Sequence, residues 1–256
     1  MNKTVLITGA NGGIGSALAI EFAKKGFNLV LVARTIDSLT ELERELSFTN
    51  QNIYSLYIDI SKPDGVEKVT KWLNDKKLHV SHLVNNAGFG EFELFEKTAT
   101  EYILGMLDIN IIALTRLTKA LLPSLIQQQS GVLNVASVAG FMSGPGKSVY
   151  FASKAYVISL SLGLREELAG RVNVSVLCPG PTKSKFWLST PSMKKKLISQ
   201  VKFMSTDRVA KIAVRDFLRK KAIITPGLIN KANTVIPRLF SKQAMAKIVN
   251  VMFKLR

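Results

Sequence analysis

A phenol and an ammonium lie four residues apart in "VYFASKAYV", residues 149–157, where Tyr150 precedes Lys154. If this segment is a helix, the two side chains share one face, because residues at i and i+4 lie one above the other. A phenol with a pKa of about 10 transfers protons poorly at neutral pH, and a neighbouring cation would stabilise its ionised form. The pair is therefore a candidate for proton transfer. The alternative is a half-buried ring beside a solvated amine.

A glycine-rich turn, "TGANGGIG" at residues 8–15, follows the first apolar run and precedes a helical pattern. Glycine can adopt positive φ and lets a ligand approach backbone N–H groups at a helix N-terminus, where the dipole favours an anion. In this context the turn predicts nucleotide binding, and the alternative is a tight strand-to-helix turn. A P-loop is excluded, because no Gly-Lys-Ser/Thr follows. The residues expected to contact the dinucleotide are Gly9, Asn11, Gly12, Gly13, Ile14 and Gly15.

Residues at the ends of the second and third strands indicate which dinucleotide is bound. NAD enzymes usually place an acidic residue after the second strand, whereas "LVARTID" offers Ala33 and then Arg34, a cation suited to a 2′-phosphate. NADP(H) is therefore the expected cofactor. We interpret Asp37 as a first-turn carboxylate of the next helix. Asp59 follows the third strand and is expected near the adenine edge, with a solvated loop residue as the alternative.

The elements that must position these residues alternate along the chain. Seven short apolar runs rich in Val, Ile and Leu predict strands, and amphipathic segments between them predict helices. This alternation predicts an α/β fold with a doubly wound parallel sheet and helices on both faces. The predicted strands are residues 3–8, 28–33, 52–59, 82–86, 131–137, 172–178 and 222–227.

The composition excludes several classes of protein. The chain has 256 residues, 47% of them apolar, which fits a folded domain rather than a disordered one. The single Cys178 excludes an intrachain disulfide and fits a reducing compartment, so a cytoplasmic location is expected. His79 and His82 are interpreted as loop residues and lack clustered ligands, so no metal is expected. Neither a secretory signal nor a spanning helix is expected, because residues 1–15 and the apolar runs fit neither pattern.

Separated motifs lie in a fixed order along the chain: "TGANGGIG", "NNAG" at residues 85–88, Ser137 after a strand, and Tyr150-x-x-Ser153-Lys154. Together with Asn110 and "PGPT" at residues 179–182, they resemble the short-chain dehydrogenase/reductase family. The amino-acid sequences of "LVAR", "NNAGFG" and "CPGPT" are most similar to those of bacterial NADP-dependent reductases related to 3-ketoacyl and hydroxysteroid reductases. The resemblance implies a single-domain Rossmann fold with a mostly parallel seven-stranded sheet over residues 1–226. Residues 227–256 would form a basic amphipathic helical extension of that domain.

The resemblance also implies a role for each matched residue. Tyr150 is expected to be the general acid in carbonyl reduction or the base in alcohol oxidation. Lys154 is expected to stabilise its phenolate and to hold the nicotinamide ribose. Ser137 would hydrogen-bond the substrate oxygen, and Asn110 would hold a water that links Lys154 to solvent, unless it only kinks its helix. The other cofactor contacts implied are Asn86, Ala87, Gly88, Pro179, Gly180 and Thr182.

Three segments outside the dinucleotide half are expected to select the substrate, residues 89–96, 140–148 and 183–196. Their apolar side chains favour a hydrophobic carbonyl compound, such as an acyl, lipid or steroid-like molecule, although core packing explains any one of them equally well. The side chains are Phe89, Phe92, Phe95, Phe141, Met142, Phe186 and Trp187.

The net charge of +17 is concentrated near the C-terminus. Residues 183–256 hold 18 Lys and Arg against two acidic residues, whereas residues 1–182 hold 17 against 16. Within this part, Met245, Ile248, Val249, Met252 and Phe253 have the i, i+3, i+4, i+7, i+8 spacing of one apolar helix face. Such a helix can lie on an anionic membrane, and packing on its own domain or across a dimer is the alternative. Nucleic-acid binding is not expected, because no recognition module is present.

The sequence therefore predicts an NADP(H)-dependent oxidoreductase that transfers hydride between nicotinamide and a carbonyl or alcohol group. Family resemblance implies a homodimer or homotetramer acting on a small-molecule substrate. The alternative function is a catalytically idle dinucleotide-binding sensor or scaffold with a membrane- or partner-binding tail. Retention of Ser137, Tyr150, Lys154 and Asn110 argues against it.

Overall fold

A computed structural model describes residues 3–35, 37–47, 49, 51–184 and 203–253 of the chain. Its strands are β1 (Thr4–Thr8), β2 (Asn28–Ala33), β3 (Ile53–Tyr57), β4 (His82–Asn85), β5 (Gly131–Val135), β6 (Asn173–Leu177) and β7 (Ile223–Ile224). Its α-helices are α1 (Ile14–Ala23), α2 (Asp37–Leu46), α3 (Gly65–Asp75), α4 (Thr100–Leu107), α5 (Leu114–Gln127), α6 (Ser148–Glu167), α7 (Thr206–Leu218), α8 (Leu228–Val235) and α9 (Lys242–Phe253). A π-helical segment, Asp108–Ala113, joins α4 to α5, and 3₁₀ turns lie at Phe95–Lys97, Val138–Phe141 and Ile236–Leu239.

The seven strands form one sheet in the order β3-β2-β1-β4-β5-β6-β7, and all six pairings are parallel. The prediction of a doubly wound parallel sheet is confirmed. The strand order reverses between β1 and β4, so the chain leaves these two neighbouring strands in opposite directions. A ligand crevice forms at the carboxyl ends of the strands at such a switch point. The loops after β1 and β4 carry the two glycine motifs that the sequence singled out.

Both faces of the sheet are covered by helices. In β2, Leu29 and Leu31 face a core cluster shared with α1, α2 and α7, whereas Val30 and Val32 face one shared with α3 and α5. Both clusters are apolar because a strand buried on two sides sends alternate side chains into each layer. Helix α6 covers the second face farther along, where Val157 packs in one cluster with Ala136, which follows β5, and with Val176 of β6.

The interpretation of His82 as a loop residue is wrong, whereas the strand predicted for residues 82–86 correctly began at this residue. It is the first residue of β4, is 7% exposed and packs edge-on against the rings of Phe27 and Phe217. Burial lowers the pKa of His82 to about 4, so its imidazole is neutral in the fold at physiological pH. Helix α7 was also not predicted, whereas α8 lies within residues 227–256, for which a helical extension was expected. The N-terminus of α7 carries a hydrogen bond from Arg208 N to the Ser205 hydroxyl, a capping signal that the sequence offers.

One helical stretch, Thr100–Gln127, is long and apolar enough to cross a membrane by length and composition. The sequence analysis did not expect a spanning helix because charged residues such as Asp108 and Arg116 interrupt the stretch. In the fold, Leu117, Leu121 and Leu125 on its α5 part are buried in the core cluster beneath the sheet. We therefore interpret the stretch as a core helix of the domain.

Candidate active site

The loop after β1 is fastened to the end of β4 by hydrogen bonds. The side-chain amide of Asn86 donates to Thr8 O at 3.0 Å and to Gly9 O at 2.9 Å. The Thr8 hydroxyl accepts hydrogen bonds from Asn86 N at 3.0 Å and Ala87 N at 3.1 Å. The two motifs are 78 residues apart in sequence, yet they form one rigid edge of the crevice. The sequence analysis did not assign a role to the Thr8 hydroxyl.

Close packing in this loop requires glycine at position 15. A Cβ atom there would lie 2.1 Å from Gly9 O and 2.6 Å from the side-chain nitrogen of Asn86. Because Gly9 and Gly13 also have positive φ angles of 62° and 56°, the loop curls tightly before α1 begins at Ile14. The backbone N–H groups of the first helical turn carry partial positive charge. The geometry suits an anionic group such as a pyrophosphate.

Arg34 and Asp59 follow β2 and β3 at the same edge of the sheet and line one cavity. The Arg34 side chain is exposed, whereas Asp59 is half-buried. Asp59 accepts hydrogen bonds from Ser61 N at 3.0 Å and from the Ser61 hydroxyl at 2.6 Å, which fix its carboxylate. Helix α2 begins at Asp37, as the sequence predicts, but the side chain of Asp37 lies outside the described residues.

Three polar side chains predicted to carry out catalysis lie together at the carboxyl ends of β5 and β6. Tyr150 is 9% exposed, and the Lys154 Nζ atom lies 5.7 Å from the centroid of its ring. Ser137 follows β5 and hydrogen-bonds the Tyr150 side chain. The ring of Tyr150 also packs on Gly90, where a Cβ atom would lie 2.3 Å from its Cδ2 atom. The helix α6 therefore places phenol and ammonium on one face, as their spacing predicts.

Burial dominates the ionisation of this pair in the protein alone. It raises the pKa of Tyr150 to about 12, while the hydrogen bond with Ser137 acts in the opposite direction. It lowers the pKa of Lys154 to about 8, and the Lys154 Nζ atom donates a hydrogen bond to Val135 O at 3.0 Å. Both shifts favour the uncharged groups, as desolvation requires. A further positive charge beside Tyr150 would lower the pKa of the phenol and so favour proton transfer from it.

Asn110 lies in the π-helical segment and is 1% exposed. Its amide nitrogen donates to Phe89 O at 2.9 Å and to the Ser153 hydroxyl at 3.1 Å, and its oxygen accepts from Phe89 N at 3.2 Å. A π-helical turn widens a helix locally and often occurs at functional sites. Here it turns Asn110 toward α6 and anchors the chain after the "NNAG" motif. Ser153 serves helix packing, because its hydroxyl also bonds Tyr150 O.

The turn after β6 forms the opposite wall of the crevice. Thr182 is 3% exposed, and its hydroxyl donates to Gly180 O at 2.9 Å. The backbone of Thr182 pairs with that of Met204, two residues before α7 begins at Thr206. Asn230 of α8 packs on Gly180 and donates a hydrogen bond from its side chain to Pro226 O at 2.7 Å. The C-terminal helices therefore contact the turn that the sequence assigns to the nicotinamide.

One cavity of about 1030 Å³ joins these pieces. Of the predicted site residues, only Gly15 and Asn110 lie behind its wall instead of lining it. The lining residues that were predicted are Gly9, Asn11, Gly12, Gly13, Ile14, Arg34, Asp59, Asn86, Ala87, Gly88, Ser137, Tyr150, Lys154, Pro179, Gly180 and Thr182. The volume is large enough for a dinucleotide with space beside it for a substrate. Among the described residues, no group of three His, Cys, Asp or Glu could hold a metal ion.

The predicted substrate pocket is only partly confirmed. Phe89 and Met142 line the cavity, whereas Phe92 is buried beneath it, Phe95 is 64% exposed beside a smaller pocket, and Phe141 packs on α6. These three aromatic residues were wrongly placed in the pocket, because a sequence pattern does not show which way a loop side chain points. The predicted residues Phe186 and Trp187 lie outside the described part of the chain.

The C-terminal helices supply walls of the cavity that the sequence analysis missed. Phe240, Met245 and Val249 line it, and the last two are 7% and 3% exposed. The apolar spacing in α9 was recognised from the sequence. At Met245 and Val249, however, the face packs on its own domain, which was the alternative interpretation.

Comparisons with known proteins agree with this geometry. The sequence profile of the family described as short chain dehydrogenase matches residues 3–195. A sulfoacetaldehyde reductase 2 from Chromohalobacter salexigens is 38% identical over 195 residues, which cover 73% of this chain and 76% of that protein. An 11-beta-hydroxysteroid dehydrogenase 1A from Arabidopsis thaliana is 36% identical over 192 residues, which cover 71% of this chain and 53% of that protein. The matched part therefore spans about half the length of the plant relative.

A solved structure shows the same arrangement of elements. The short-chain dehydrogenase from Sphingobium yanoikuyae in complex with NADPH superposes with a TM-score of 0.81 at 30% sequence identity. The superposition covers 99% of this chain and 96% of that chain. The likeness therefore extends over the C-terminal helices as well as the residues that match the family profile.

Proposed function

Since the chain belongs to the short-chain dehydrogenase family, we propose that it is an NADP(H)-dependent oxidoreductase that reduces a carbonyl group or oxidises the corresponding alcohol. The observation that carries this proposal is the shared cavity, which places Ser137, Tyr150 and Lys154 beside the glycine loop at the start of α1. In carbonyl reduction the hydride goes to the carbon and the proton goes to the oxygen of the same carbonyl group. A dinucleotide site next to a proton donor meets that requirement.

In this proposal Tyr150, Ser137, Lys154 and Asn110 have separate roles in moving a proton to or from the substrate oxygen. NADPH, when bound, supplies the hydride and leaves a positively charged nicotinamide. The Tyr150 hydroxyl gives its proton to the substrate oxygen, and Ser137 hydrogen-bonds that oxygen as negative charge develops. Lys154 would stabilise the phenolate that remains and so act against burial, which raises the pKa of Tyr150. Asn110 keeps the chain beside Lys154 in position, and a water held there would connect Lys154 to solvent.

The cofactor would lie across the carboxyl edge of the sheet. Its pyrophosphate would meet the N-terminus of α1, and Asp59 would lie on the adenine side. Asn86, Ala87 and Gly88 would border the adenosine, and Pro179, Gly180 and Thr182 the nicotinamide. The substrate would take the remaining apolar space beside Tyr150, where Met142, Phe151 and Phe240 line the cavity. A hydrophobic acyl, lipid or steroid-like carbonyl compound fits such walls.

The test is steady-state oxidation of NADPH with a panel of aliphatic, aromatic and polycyclic ketones and aldehydes. Turnover of at least one class supports the proposal. NADPH binding without turnover of any carbonyl or alcohol compound would instead favour a dinucleotide-binding sensor or scaffold.

The preference for NADP(H) is expected to depend on Arg34. Arg34→Asp removes the cation proposed for the 2′-phosphate and adds a carboxylate that suits a free ribose hydroxyl. Loss of a hydrogen bond to a charged group costs about 1.5–3 kcal/mol, so kcat/KM with NADPH should fall about 10- to 100-fold. The kcat/KM with NADH should hold or rise. Arg44→Ala, an exposed arginine at the end of α2, serves as the control. Equal losses with both cofactors would contradict the assignment.

We also propose a peripheral membrane contact for a cytoplasmic protein. Residues 228–251, which we name the C-terminal surface, carry large apolar side chains in solvent. Five of these side chains are exposed by more than a third and do not line the cavity: Leu228, Ile229, Val235, Leu239 and Val251. Three others are also exposed by more than a third but line the cavity as well: Ile236, Phe240 and Ile248. Exposed Lys231, Arg238, Lys242 and Lys247 lie among them, and no acidic residue follows Asp216 in the sequence. Apolar side chains with basic neighbours match an anionic lipid surface.

Sedimentation with vesicles containing phosphatidylserine tests this contact. The protein should bind at low salt and lose much of that binding at high salt, because surface charge is screened. Leu239→Glu alters a side chain that is 77% exposed and should lower the partition coefficient at least about tenfold. Lys211→Gln, at an exposed position of α7, removes one positive charge elsewhere and is the control. Failure of the wild type to bind vesicles would contradict the proposal. So would a Leu239→Glu variant that changes its oligomeric state but binds vesicles as well as the wild type.

A homodimer or homotetramer is part of the proposed function. Leu104 of α4 and Ile112 of the π-helical segment are 54% and 49% exposed. Such apolar side chains on one helical stretch favour contact with a second copy.

A further inference from the structure

Helix α8 turns one face toward the cavity. Asn230 of this helix packs on Gly180, where a Cβ atom would lie 2.0 Å from the Asn230 Oδ1 atom. Asn233 lies three residues farther along the same helix, so the two side chains share a face. Asn233 is half-buried and lines the cavity, as does the buried Pro237 four residues later. The side chain of Asn233 therefore faces the cavity, one helical turn beyond the contact with Gly180.

The amide of Asn233 differs from the other polar side chains on this face of α8. The Asn230 side chain donates a hydrogen bond to Pro226 O at 2.7 Å, and the Thr234 hydroxyl donates one to Lys231 O at 2.8 Å. Both groups are therefore satisfied by nearby backbone. The Asn233 side chain makes no hydrogen bond to any residue that the structure describes. Its two N–H donors and its carbonyl acceptor are available to a molecule in the cavity.

The surroundings of Asn233 in the cavity wall are apolar. Among the described residues 203–253 that line the cavity, Asn233 alone has a polar side chain. The others are Ile236, Pro237, Phe240, Met245, Ile248 and Val249. A hydrogen bond made among apolar side chains is stronger than one made in water, and a polar group left there without a partner costs free energy. Helix propensity does not explain the residue, because asparagine is a weak helix former.

We propose that Asn233 is a specificity-determining residue that hydrogen-bonds a hydroxyl group of the substrate, at a distance from the reacting carbonyl. A hydroxyl both donates and accepts, so it matches the two ends of the amide. This inference rests on the proposed function and narrows its substrate class to apolar carbonyl compounds that also carry a hydroxyl group. Tyr150 lies on α6 and Asn233 on α8, so the two polar groups of the substrate would contact different walls. Together they would fix which carbonyl reaches Tyr150.

The test compares two series of ketones with NADPH as reductant, 2-alkanones of increasing chain length and the 2-alkanones of the same lengths with a terminal hydroxyl. The quantity measured is the ratio of kcat/KM for the hydroxyketone to kcat/KM for the plain ketone at each length. At the length where the wild-type ratio is highest, Asn233→Leu should lower it about tenfold, mainly through a higher KM for the hydroxyketone. The hydroxyl then loses its partner, whereas the apolar chain keeps its contacts.

Two further variants separate recognition from a structural effect. Asn233→Gln keeps an amide and should retain more of the ratio than Asn233→Leu. Asn74→Leu makes the same exchange at an exposed position of α3 that does not line the cavity, and it should leave the ratio unchanged. Thermal unfolding and NADPH titration of each variant show that the fold and the cofactor site are intact. Because both ketones are measured on one protein preparation, a loss of folded protein cancels from the ratio.

A ratio that is the same in the wild type and Asn233→Leu at every chain length would overturn the inference, even if both enzymes reduce ketones well. An equal fall in Asn74→Leu would also overturn it. Absence of turnover with any carbonyl compound would refute the proposed function instead. In that case calorimetric titration of the NADPH-saturated protein with both series still decides the role of Asn233. A loss of affinity in Asn233→Leu for the hydroxyketones alone supports it, and equal changes for both series refute it.

Discussion

Tyr150→Phe is expected to lower kcat for carbonyl reduction by about 10²- to 10⁴-fold, the usual contribution of a positioned general acid. The phenyl ring can still pack on Gly90, but no hydroxyl remains to give a proton to the substrate oxygen or to bond Ser137. Affinity for NADPH should change by less than about threefold, because the phosphates and adenosine are held elsewhere. Stopped-flow oxidation of NADPH and fluorescence titration measure the two quantities.

Tyr156→Phe is the matched control for this experiment. It removes the same hydroxyl from the same helix, where Tyr156 is 36% exposed and lies 3.0 Å from the Thr115 hydroxyl. Its kcat should stay within about twofold of the wild type. If Tyr150→Phe keeps full activity, the hydroxyl is not the proton donor and the catalytic assignment fails. If neither variant nor the wild type turns over, the sensor alternative becomes the better explanation.

Gly15→Ala is expected to abolish measurable NADPH binding and to destabilise the protein. The new methyl group would lie 2.1 Å from Gly9 O and 2.6 Å from the Asn86 side-chain nitrogen, so the loop must open. That movement breaks the hydrogen bonds from the Asn86 side chain to Thr8 O and Gly9 O, which join the ends of β1 and β4. It also displaces the backbone N–H groups at the start of α1. Overpacking of this kind costs about 1–3 kcal/mol or more, which corresponds to a loss of roughly 3–10 °C in Tm.

Gly12→Ala separates the steric effect from the mere addition of a methyl group. Apart from its two chain neighbours, no described residue has an atom within 4 Å of a Cβ placed at Gly12, so the Tm of the cofactor-free protein should remain within about 1 °C of the wild type. Thermal unfolding, size-exclusion chromatography and fluorescence titration with NADPH should be run on both variants. Normal NADPH binding by Gly15→Ala would show that the loop can relax and that the hydrogen bonds of Asn86 to Thr8 and Gly9 are not needed for cofactor binding.

The parts of the site that the sequence predicted correctly depend on short-range geometry. The spacing of Tyr150 and Lys154 fixes their common face once α6 forms, because a helix repeats every 3.6 residues. The glycines of "TGANGGIG" similarly mark a turn that only small residues can make. The strands were predictable for a related reason, since a parallel sheet covered on both sides requires nearly continuous apolar runs. Each of these features depends on a segment of about ten residues, so the local sequence is enough to predict it.

The residues missed by the sequence analysis become functional only through contacts between distant segments. Thr8 acquires its role from Asn86, and Met245 and Val249 acquire theirs because α9 packs over the cavity. The division at residue 226 and the roles of the site residues remain predictions.

By itself the sequence predicted the seven strands, the helices between them as far as α6, the glycine loop and the Tyr150 and Lys154 pair. Only the tertiary structure decided which aromatic side chains reach the cavity and which face of α9 is buried. Backbone dihedrals and helix periodicity act over a few residues, so a local pattern can specify them. Burial is a property of the whole packed chain, so it emerges only when segments far apart in sequence exclude water together.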